Sequence, residues 1–198
     1  MGLPLGVLSA VKQYSPADSF LRVASTVLVA MPTFWLAMLL ILVFALYLGW
    51  LPAGGALTWQ SYILPTITVG VPYGSKVLRM TRSTMLEEIR QDYVRTARSK
   101  GVPEKKVIYG HALKNALLPV ITTIGSAFGA ILGGSVIAES VFNLPGLGSL
   151  IVLSIKAKDT PSVLASVLLL AVFFALIMLI VDLVYAFIDP RIKAKYAK

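Results

Sequence analysis

TPSVLASVLLLAVFFALIMLIV, residues 160 to 181, contains no Asp, Glu, Lys or Arg. Its length matches the roughly 20 residues that a helix needs to cross about 30 Å of hydrocarbon. Thr160 is a candidate N-cap, and Pro161 suits the first helical position, where its missing N–H is not needed. The sequence therefore predicts a membrane-spanning helix at about residues 161–187.

Two other long windows lack charged residues, and the whole chain has a membrane composition. The windows run from Val23 to Ser75 and from Asn115 to Ala138, and the 198-residue chain is 57% hydrophobic and 14% charged. Soluble domains carry about 25% charged residues. Pro32 predicts a kink in the first span. We predict an all-α fold, a polytopic transmembrane helix bundle forming one domain over 1–198, with spans at about 20–48, 62–80, 117–136 and 161–187.

The distribution of basic residues predicts the orientation of these spans. Four spans place 16 of the 18 Lys and Arg residues on one side and leave only Lys156 and Lys158 on the other. Because Lys and Arg accumulate on the cytoplasmic side, the basic side and both terminal tails are assigned to the cytoplasm. The net charge of +9 thus belongs to segments that flank the membrane, and no nucleic-acid partner is predicted. Cysteine is absent, which excludes disulfides and thiolate metal sites.

One cytoplasmic segment, at about residues 88–114, is basic and patterned as a helix, a turn and a second helix. We call it the basic segment. Ile89, Tyr93 and Ala97 recur at a spacing of four and share one helical face. Gly101 suits the left-handed position that closes a helix. This pattern predicts one helix from Ile89 to Lys100, within a folded element between two spans.

The sequence beyond the glycine continues this pattern, and it leaves three interpretations open. Pro103 and Glu104 suit the first turn of a second helix. One interpretation is a solvated loop that is basic only because Lys and Arg accumulate on the cytoplasmic side. Such a loop does not need residues that end one helix and begin another, but the pattern alone leaves this interpretation open. The amphipathic segment could instead lie on anionic lipid or dock into a groove of a soluble cytoplasmic partner. Asp92 and Glu104 favour a partner, because anionic headgroups repel acidic side chains.

The third predicted span carries three glycines on one helical face. Gly125, Gly129 and Gly133 lie at i, i+4 and i+8, so this face has almost no side chains and permits close helix contact. The contact is either packing within the chain, packing on a second subunit, or part of a translocation pathway.

Beyond the third span, residues of about 139–159 are too short and too interrupted to cross a bilayer. They predict an amphipathic or re-entrant segment on the outer side. Glu139 at its start either meets a binding protein or solvates a helix end. Asp182, in the last span, is an intramembrane carboxylate, and such a group is either functional or paired with a Lys or Arg near the cytoplasmic end.

Four motifs follow one another along the chain: MPTFWLAMLLILVFALYLGWLPAGG, DYVRTARSKGVPEKKVIYGHALKNALLPV, ESVFNLPGLGSLI and VDLVYAFIDPRI. In order and spacing they resemble the inner-membrane permease subunits of binding-protein-dependent ABC importers, in the dipeptide, oligopeptide and nickel class. The last motif is typical of the B-type subunit of the permease pair. The resemblance implies the transmembrane domain of a type I importer, in a bacterial or archaeal inner membrane.

In that family the cytoplasmic loop is a coupling helix, which docks into an ATPase so that ATP hydrolysis moves the permease between inward-facing and outward-facing states. By resemblance, the coupling residues are Asp92, Tyr93, Val94, Arg95, Thr96, Ala97, Lys100 and Gly101. The implied partners are a C-type permease subunit, two cytoplasmic ABC ATPases that bind the ATP, an outer substrate-binding protein and membrane lipid. The chain itself would hold no cofactor and catalyse no reaction, and the transported substrate would be a peptide or nickel.

The chain departs from the family pattern in two places. The broader importer signature has Glu-Ala-Ala where Arg95-Thr96-Ala97 stands here, as in the peptide class. Family members also carry an N-terminal span, a large outer loop and a complete second span before the stretch PLGVLSAVK, so an N-terminally truncated permease is expected, with about four complete spans and the end of an earlier one. Such a chain has an alternative role as a membrane scaffold or assembly subunit without transport. Neither a GxxxxGK(S/T) phosphate loop nor an HExxH motif occurs, so neither ATP binding nor intramembrane catalysis by this chain is predicted.

Overall fold

The computed structural model describes the backbone of residues 1–188, and their side chains except at 132–134 and 185–188. The predicted cytoplasmic tail at 189–198 and the surroundings of Gly133 lie outside the described residues. Every regular element in the described part is helical, which confirms the all-α fold class.

Nine α-helices occur in the described residues, with three short segments of tighter or wider helix between them. The α-helices are α1 (Gly2–Val11), α2 (Pro16–Ala30), α3 (Thr33–Leu40), α4 (Ile63–Ile89), α5 (Asp92–Ser99), α6 (Glu104–Lys106), α7 (Leu113–Val141), α8 (Leu147–Lys156) and α9 (Thr160–Ile188). π-Helical turns extend α3 at Ile41–Tyr47 and α6 at Val107–Ala112, and a 3₁₀ turn at Trp59–Tyr62 precedes α4.

The chain divides into two compact units, each with its own core. Within the described residues, the first unit contains 1–29, 74–126 and 180–188. Its core joins α1 to α4, α5 and α7 through eight buried apolar side chains: Val7, Ala10, Met85, Val94, Val107, Ile108, Ala112 and Ala116. Four of the eight, Val94, Val107, Ile108 and Ala112, belong to the basic segment. That segment is therefore a folded part of the unit and not a free solvated loop.

The second unit contains residues 30–73 and 127–179. Ala37, Leu64, Ala138 and Phe142 form its core. The carbonyl of Phe142 accepts the N–H of Gly55 at 2.8 Å, and a Cβ at Gly54 would collide with the same carbonyl. The turn after α3 is therefore fixed to the end of α7 by a backbone contact that only glycine permits.

Two helices in the described residues are long and apolar enough to cross a membrane, Glu104–Ile131 and Thr160–Val184. A third candidate results if α2 and α3 with its π-turn are counted as one span. The predicted second span, 62–80, lies within α4, whose later turns carry several charged residues. The placement of four spans in a bilayer stays a prediction.

The first predicted span consists of two helices and not of one kinked helix. α2 ends at Ala30, and α3 begins at Thr33 with Pro32 as its N-cap in extended backbone (φ −61°, ψ 136°). Proline has no N–H to donate and disfavours helical backbone in the residue before it, so the helix stops and restarts.

Two other predicted helix starts are wrong by one to three residues. The pattern predicts one helix from Ile89 to Lys100, but α4 runs to Ile89 and α5 begins at Asp92, with Gln91 in extended backbone before it. At α9 the N-cap is Asp159 and not Thr160, since Asp159 Oδ1 accepts the N–H of Ser162 at 3.2 Å. Asp is a stronger N-cap than Thr, which explains the second shift.

Candidate functional site

The basic segment has an apolar side that is buried in its own unit. Val94 of α5 and Val107 after α6 are fully buried, and Ala97 and Val102 pack against the same core. Tyr93 is 39% exposed. Val94 is therefore the residue that fixes α5 to the unit, while Tyr93, which the spacing groups with Ile89 and Ala97, is more exposed than either. The break before α5 sets this register.

The other side of α5 is solvent-exposed. Of the predicted coupling residues, six are exposed: Asp92, Tyr93, Arg95, Thr96, Lys100 and Gly101. Val94 is buried and Ala97 is half-buried within the chain. The surface that α5 offers to another molecule is therefore narrower than the predicted set. It carries the cations Arg95 and Lys100 and one acidic side chain, Asp92, whose Oδ1 lies 3.8 Å from Arg95 Nη1.

Gly101 ends α5 in the conformation that the sequence predicts. Its φ is +74°, its N–H donates to Arg98 O at 2.9 Å, and the N–H of Val102 donates to Ala97 O at 3.3 Å. A Cβ at Gly101 would meet nothing within 4 Å. Glycine is therefore needed here for its left-handed backbone and not for packing inside the chain.

A bidentate ion pair spans the turn between α5 and α6. Arg98 Nε and Nη2 donate to the two carboxylate oxygens of Glu104 at 3.1 and 2.7 Å. These hydrogen bonds raise the pKa of the Arg98 guanidinium above its ordinary value. The pair fixes the turn, so Arg98 is engaged inside the segment.

A second polar contact ties α5 back to α4. The Tyr93 hydroxyl donates to Glu88 Oε2 at 2.5 Å. Partial burial of the ring, followed by this hydrogen bond, raises the pKa of Tyr93. The segment is thus held by apolar contacts on its inner side and by polar contacts at both ends.

The glycine face of α7 packs within the chain at both positions that the structure describes. In the first unit, a Cβ at Gly125 would lie 2.5 Å from a methyl carbon of Val181, and in the second unit a Cβ at Gly129 would collide with the ring of Phe174. Both partners belong to α9. Of the three interpretations of this face, packing within the chain therefore holds for Gly125 and Gly129. Gly133 is among the residues whose surroundings the structure does not describe.

Acidic side chains in the described residues do not gather into a ligand set. No three His, Cys, Asp or Glu side chains there are placed to hold a metal ion. Asp182 is exposed on α9. Glu139 Oε2 accepts the N–H of Ser149 at 2.9 Å, which lies in the first turn of α8, so Glu139 caps that helix and the structural alternative for this residue is supported.

One polar cluster is missed by the sequence patterns. Asp18, whose side chain is fully buried, accepts hydrogen bonds from Arg82 Nε at 2.7 Å and Arg82 Nη2 at 2.8 Å. Ser15-Pro16-Ala17-Asp18 is a recognisable N-terminal signal, with Ser15 Oγ accepting the N–H of Asp18 at 3.2 Å. That signal locates the start of α2, but nothing local indicates a partner 64 residues away.

Residues 2–194 match the family described as the inner membrane component of binding-protein-dependent transport systems. The chain belongs to this family. Membership confirms the resemblance given by the four motifs and places the chain among multi-pass proteins of the inner membrane.

Similar proteins include several described as glutathione transport system permease protein GsiC. That of Pectobacterium atrosepticum is 45% identical over 197 residues, which cover 98% of this chain and 63% of the relative. Those of Escherichia coli K12 and Salmonella paratyphi A are 44% identical over 194 residues, with the same coverage. The chain thus spans less than two thirds of the length of these relatives.

Proposed function

We propose that the chain is a permease component of an ABC importer, and that its basic segment transmits movement between the membrane helices and a cytoplasmic ATPase. Family membership supports the importer. The observation that carries the coupling role is α5, a short helix with one side buried in the core of its unit and the other side exposed and basic. A helix held in this way can receive a force on its outer side and pass it to α1, α4 and α7 as one body.

The proposed mechanism requires no chemistry from this chain. ATP binding and hydrolysis occur in the partner ATPases, and their closure displaces α5 through the exposed residues Tyr93, Arg95, Thr96 and Lys100. Val94 carries the displacement inward, because a fully buried side chain cannot move without its neighbours. The ion pair of Arg98 and Glu104 and the left-handed Gly101 keep the two halves of the segment in register during that movement.

The proposed orientation places the basic segment and both termini in the cytoplasm, following the excess of Lys and Arg. The other proposed partners are a C-type permease subunit, a second ATPase, an outer substrate-binding protein and lipid. For the substrate we propose a small peptide or peptide-like molecule. The GsiC relatives are named for glutathione transport, which favours this class over nickel.

Co-purification with the ATPase subunits of the same transport system tests the coupling role. Arg95→Glu reverses a charge on the exposed side of α5, and Thr96→Trp adds bulk there, and neither touches the buried side. Lys105→Glu is the matched control, since Lys105 is also an exposed cation of the basic segment but lies beyond the turn. All variants are expressed with the full set of partners and checked for equal thermal stability.

We expect Arg95→Glu and Thr96→Trp to lose most of the bound ATPase, and Lys105→Glu to retain it. Full retention of the ATPase by both α5 variants would refute docking through this surface. Equal loss in Lys105→Glu would also refute it, because the attraction would then depend on overall charge and not on α5. A chain that acts only as a scaffold predicts retention in all three variants.

A further inference from the structure

Asp18 lies at the meeting point of three segments of the first unit. Ser9 of α1 donates its hydroxyl to Asp18 Oδ1 at 2.5 Å. The N–H of Tyr14, in the turn between α1 and α2, donates to Asp18 Oδ2 at 3.0 Å. Arg82 of α4 adds two hydrogen bonds at 2.7 and 2.8 Å. The carboxylate therefore joins the α1–α2 corner to α4 with four donors.

The corner itself is held in an unusual conformation. Tyr14 has φ +63°, in the left-handed region that residues with a Cβ rarely adopt. Its side chain is 79% exposed, so packing of the ring does not impose this backbone. The N–H of Tyr14 donates to Asp18, and strain of this kind persists where neighbouring contacts determine the geometry.

Arg82 occupies a defined place relative to the basic segment. It lies on α4, two turns before the end of that helix at Ile89. Met85 and Leu86, one turn after Arg82, belong to or pack against the core that also contains Val94 of α5 and Val7 of α1. α4 therefore contacts the α1–α2 corner through the ion pair of Arg82 with Asp18. One turn later along the helix, it contacts α5 through apolar packing.

We propose that Asp18 is a positioning residue for coupling, which acts through Arg82 to lock the α1–α2 corner and the end of α4 into one rigid body beneath α5. This inference rests on the proposed coupling function of the basic segment. Without the lock, a displacement of α5 is absorbed by sliding at the α1–α4 contact and does not reach α2. The bidentate geometry matters because two parallel hydrogen bonds fix an angle as well as a distance.

A role in coupling and a purely structural role of Asp18 make different predictions for a variant in which the ion pair is replaced and the fold is kept. Replacing a buried ion pair with apolar side chains of similar volume is often neutral or stabilising, whereas removing one partner is not. The double variant Asp18→Leu with Arg82→Met therefore separates the two roles, since it fills the space and leaves no unpaired charge, although the Ser9 hydroxyl and the Tyr14 N–H lose their acceptor. Asp18→Asn is the second variant, which keeps the shape but loses the charge. Arg79→Gln, an exposed residue of the same helix, is the control.

The experiment uses the chain reconstituted with its permease partner, ATPases and binding protein. It records thermal stability, bound ATPase, basal ATP hydrolysis and the stimulation of hydrolysis by substrate-loaded binding protein. We expect the double variant to remain folded, to keep its bound ATPase and its basal hydrolysis, and to lose stimulation by about 2- to 30-fold. Normal stimulation in a stable double variant would overturn the proposal, and so would equal loss of stimulation in Arg79→Gln.

A second measurement does not depend on the ATPase. Amide hydrogen exchange of the chain in detergent micelles is expected to speed up by about ten-fold or more at Tyr14 and in α5 in the double variant and in Asp18→Asn, and not in Arg79→Gln. Unchanged exchange in α5 would overturn the positioning role. If exchange responds but the wild-type chain binds no ATPase, the proposed function fails while the lock between α1–α2 and α4 stands.

Discussion

Gly125→Ala tests the packing of α7 on α9 in the first unit. The added methyl group would lie 2.5 and 2.9 Å from the two methyl carbons of Val181. Val181 is β-branched and has one favoured rotamer in a helix, so it cannot rotate away without strain. Gly74→Ala is the matched control, because Gly74 is also inside a helix of this unit and its added methyl group would meet nothing within 4 Å.

The two variants share one energy term and differ in another. Replacing a helical glycine with alanine stabilises the helix by about 1 kcal/mol in each. Overpacking costs about 1–3 kcal/mol, and it applies only at Gly125. The free energy of unfolding should therefore differ by about 1–3 kcal/mol between the variants, with Gly74→Ala the more stable. At roughly 2–4 °C per kcal/mol for a chain of this size, the Tm values should differ by several degrees.

The assay is thermal unfolding in detergent micelles, followed by tryptophan fluorescence, on both variants and the wild type in one preparation. Gly74→Ala should melt at or above the wild-type temperature and Gly125→Ala clearly below Gly74→Ala. Equal Tm values for the two variants, or a higher value for Gly125→Ala, would refute the close contact with Val181. The intrachain role assigned to the glycine face would then fail with it.

Three further outcomes are expected. Val94→Ala removes two buried methyl groups and should destabilise the first unit by about 2 kcal/mol, seen as a lower Tm and faster amide exchange in α5, and unchanged exchange there would contradict the role of Val94. Hydrogen bonds from Ser162 lower the pKa of Asp159, so the cap of α9 is present above the ordinary Asp pKa and is lost as the pH falls through the folded value. The protection factor of the Ser162 amide, which is the intrinsic exchange rate divided by the observed rate, should therefore fall with acid in the wild type and be already low in Asp159→Ala, and parallel pH profiles of this factor would argue against the cap. For orientation, a cysteine at Ala56 should react with an impermeant reagent added to intact cells and one at Ser99 should not, and the reverse labelling would overturn the cytoplasmic assignment of the basic segment.

Local chemistry carried the sequence predictions that succeed. Gly101 closes α5 because a left-handed residue after a basic helix end is a local requirement, visible in the spacing of Ala97, Gly101 and Pro103. The glycines at 125 and 129 also act locally, because their missing side chains permit close helix contact. The identity of the neighbouring helix does not follow from their spacing. The family follows from the resemblance of the four motifs. Helix caps, spacing and charge alone do not identify it.

The predictions that fail depend on contacts distant in sequence. A spacing of four groups Ile89, Tyr93 and Ala97 on one helical face, but it does not reveal that the core built from α1, α4 and α7 buries Val94. Asp18 and Arg82 are 64 residues apart, and each has an ordinary local explanation, one as part of a helix start and the other as a charge near a span end. Pro32 divides the first span, where the pattern predicts only a kink, because Pro32 itself adopts extended backbone and α3 restarts after it.

The proposed coupling requires the exposed side of α5 to contact an ATPase. The chain contains no cysteine, so Thr96→Cys introduces a unique thiol on that side, and Leu57→Cys introduces one at a residue that is 97% exposed in the second unit. In membranes holding the full transporter, a short bifunctional reagent should link Thr96→Cys to an ATPase subunit, with a yield that changes when ATP is added, and should not link Leu57→Cys. Absence of the Thr96→Cys product, or an equal product from Leu57→Cys, would contradict coupling through the basic segment.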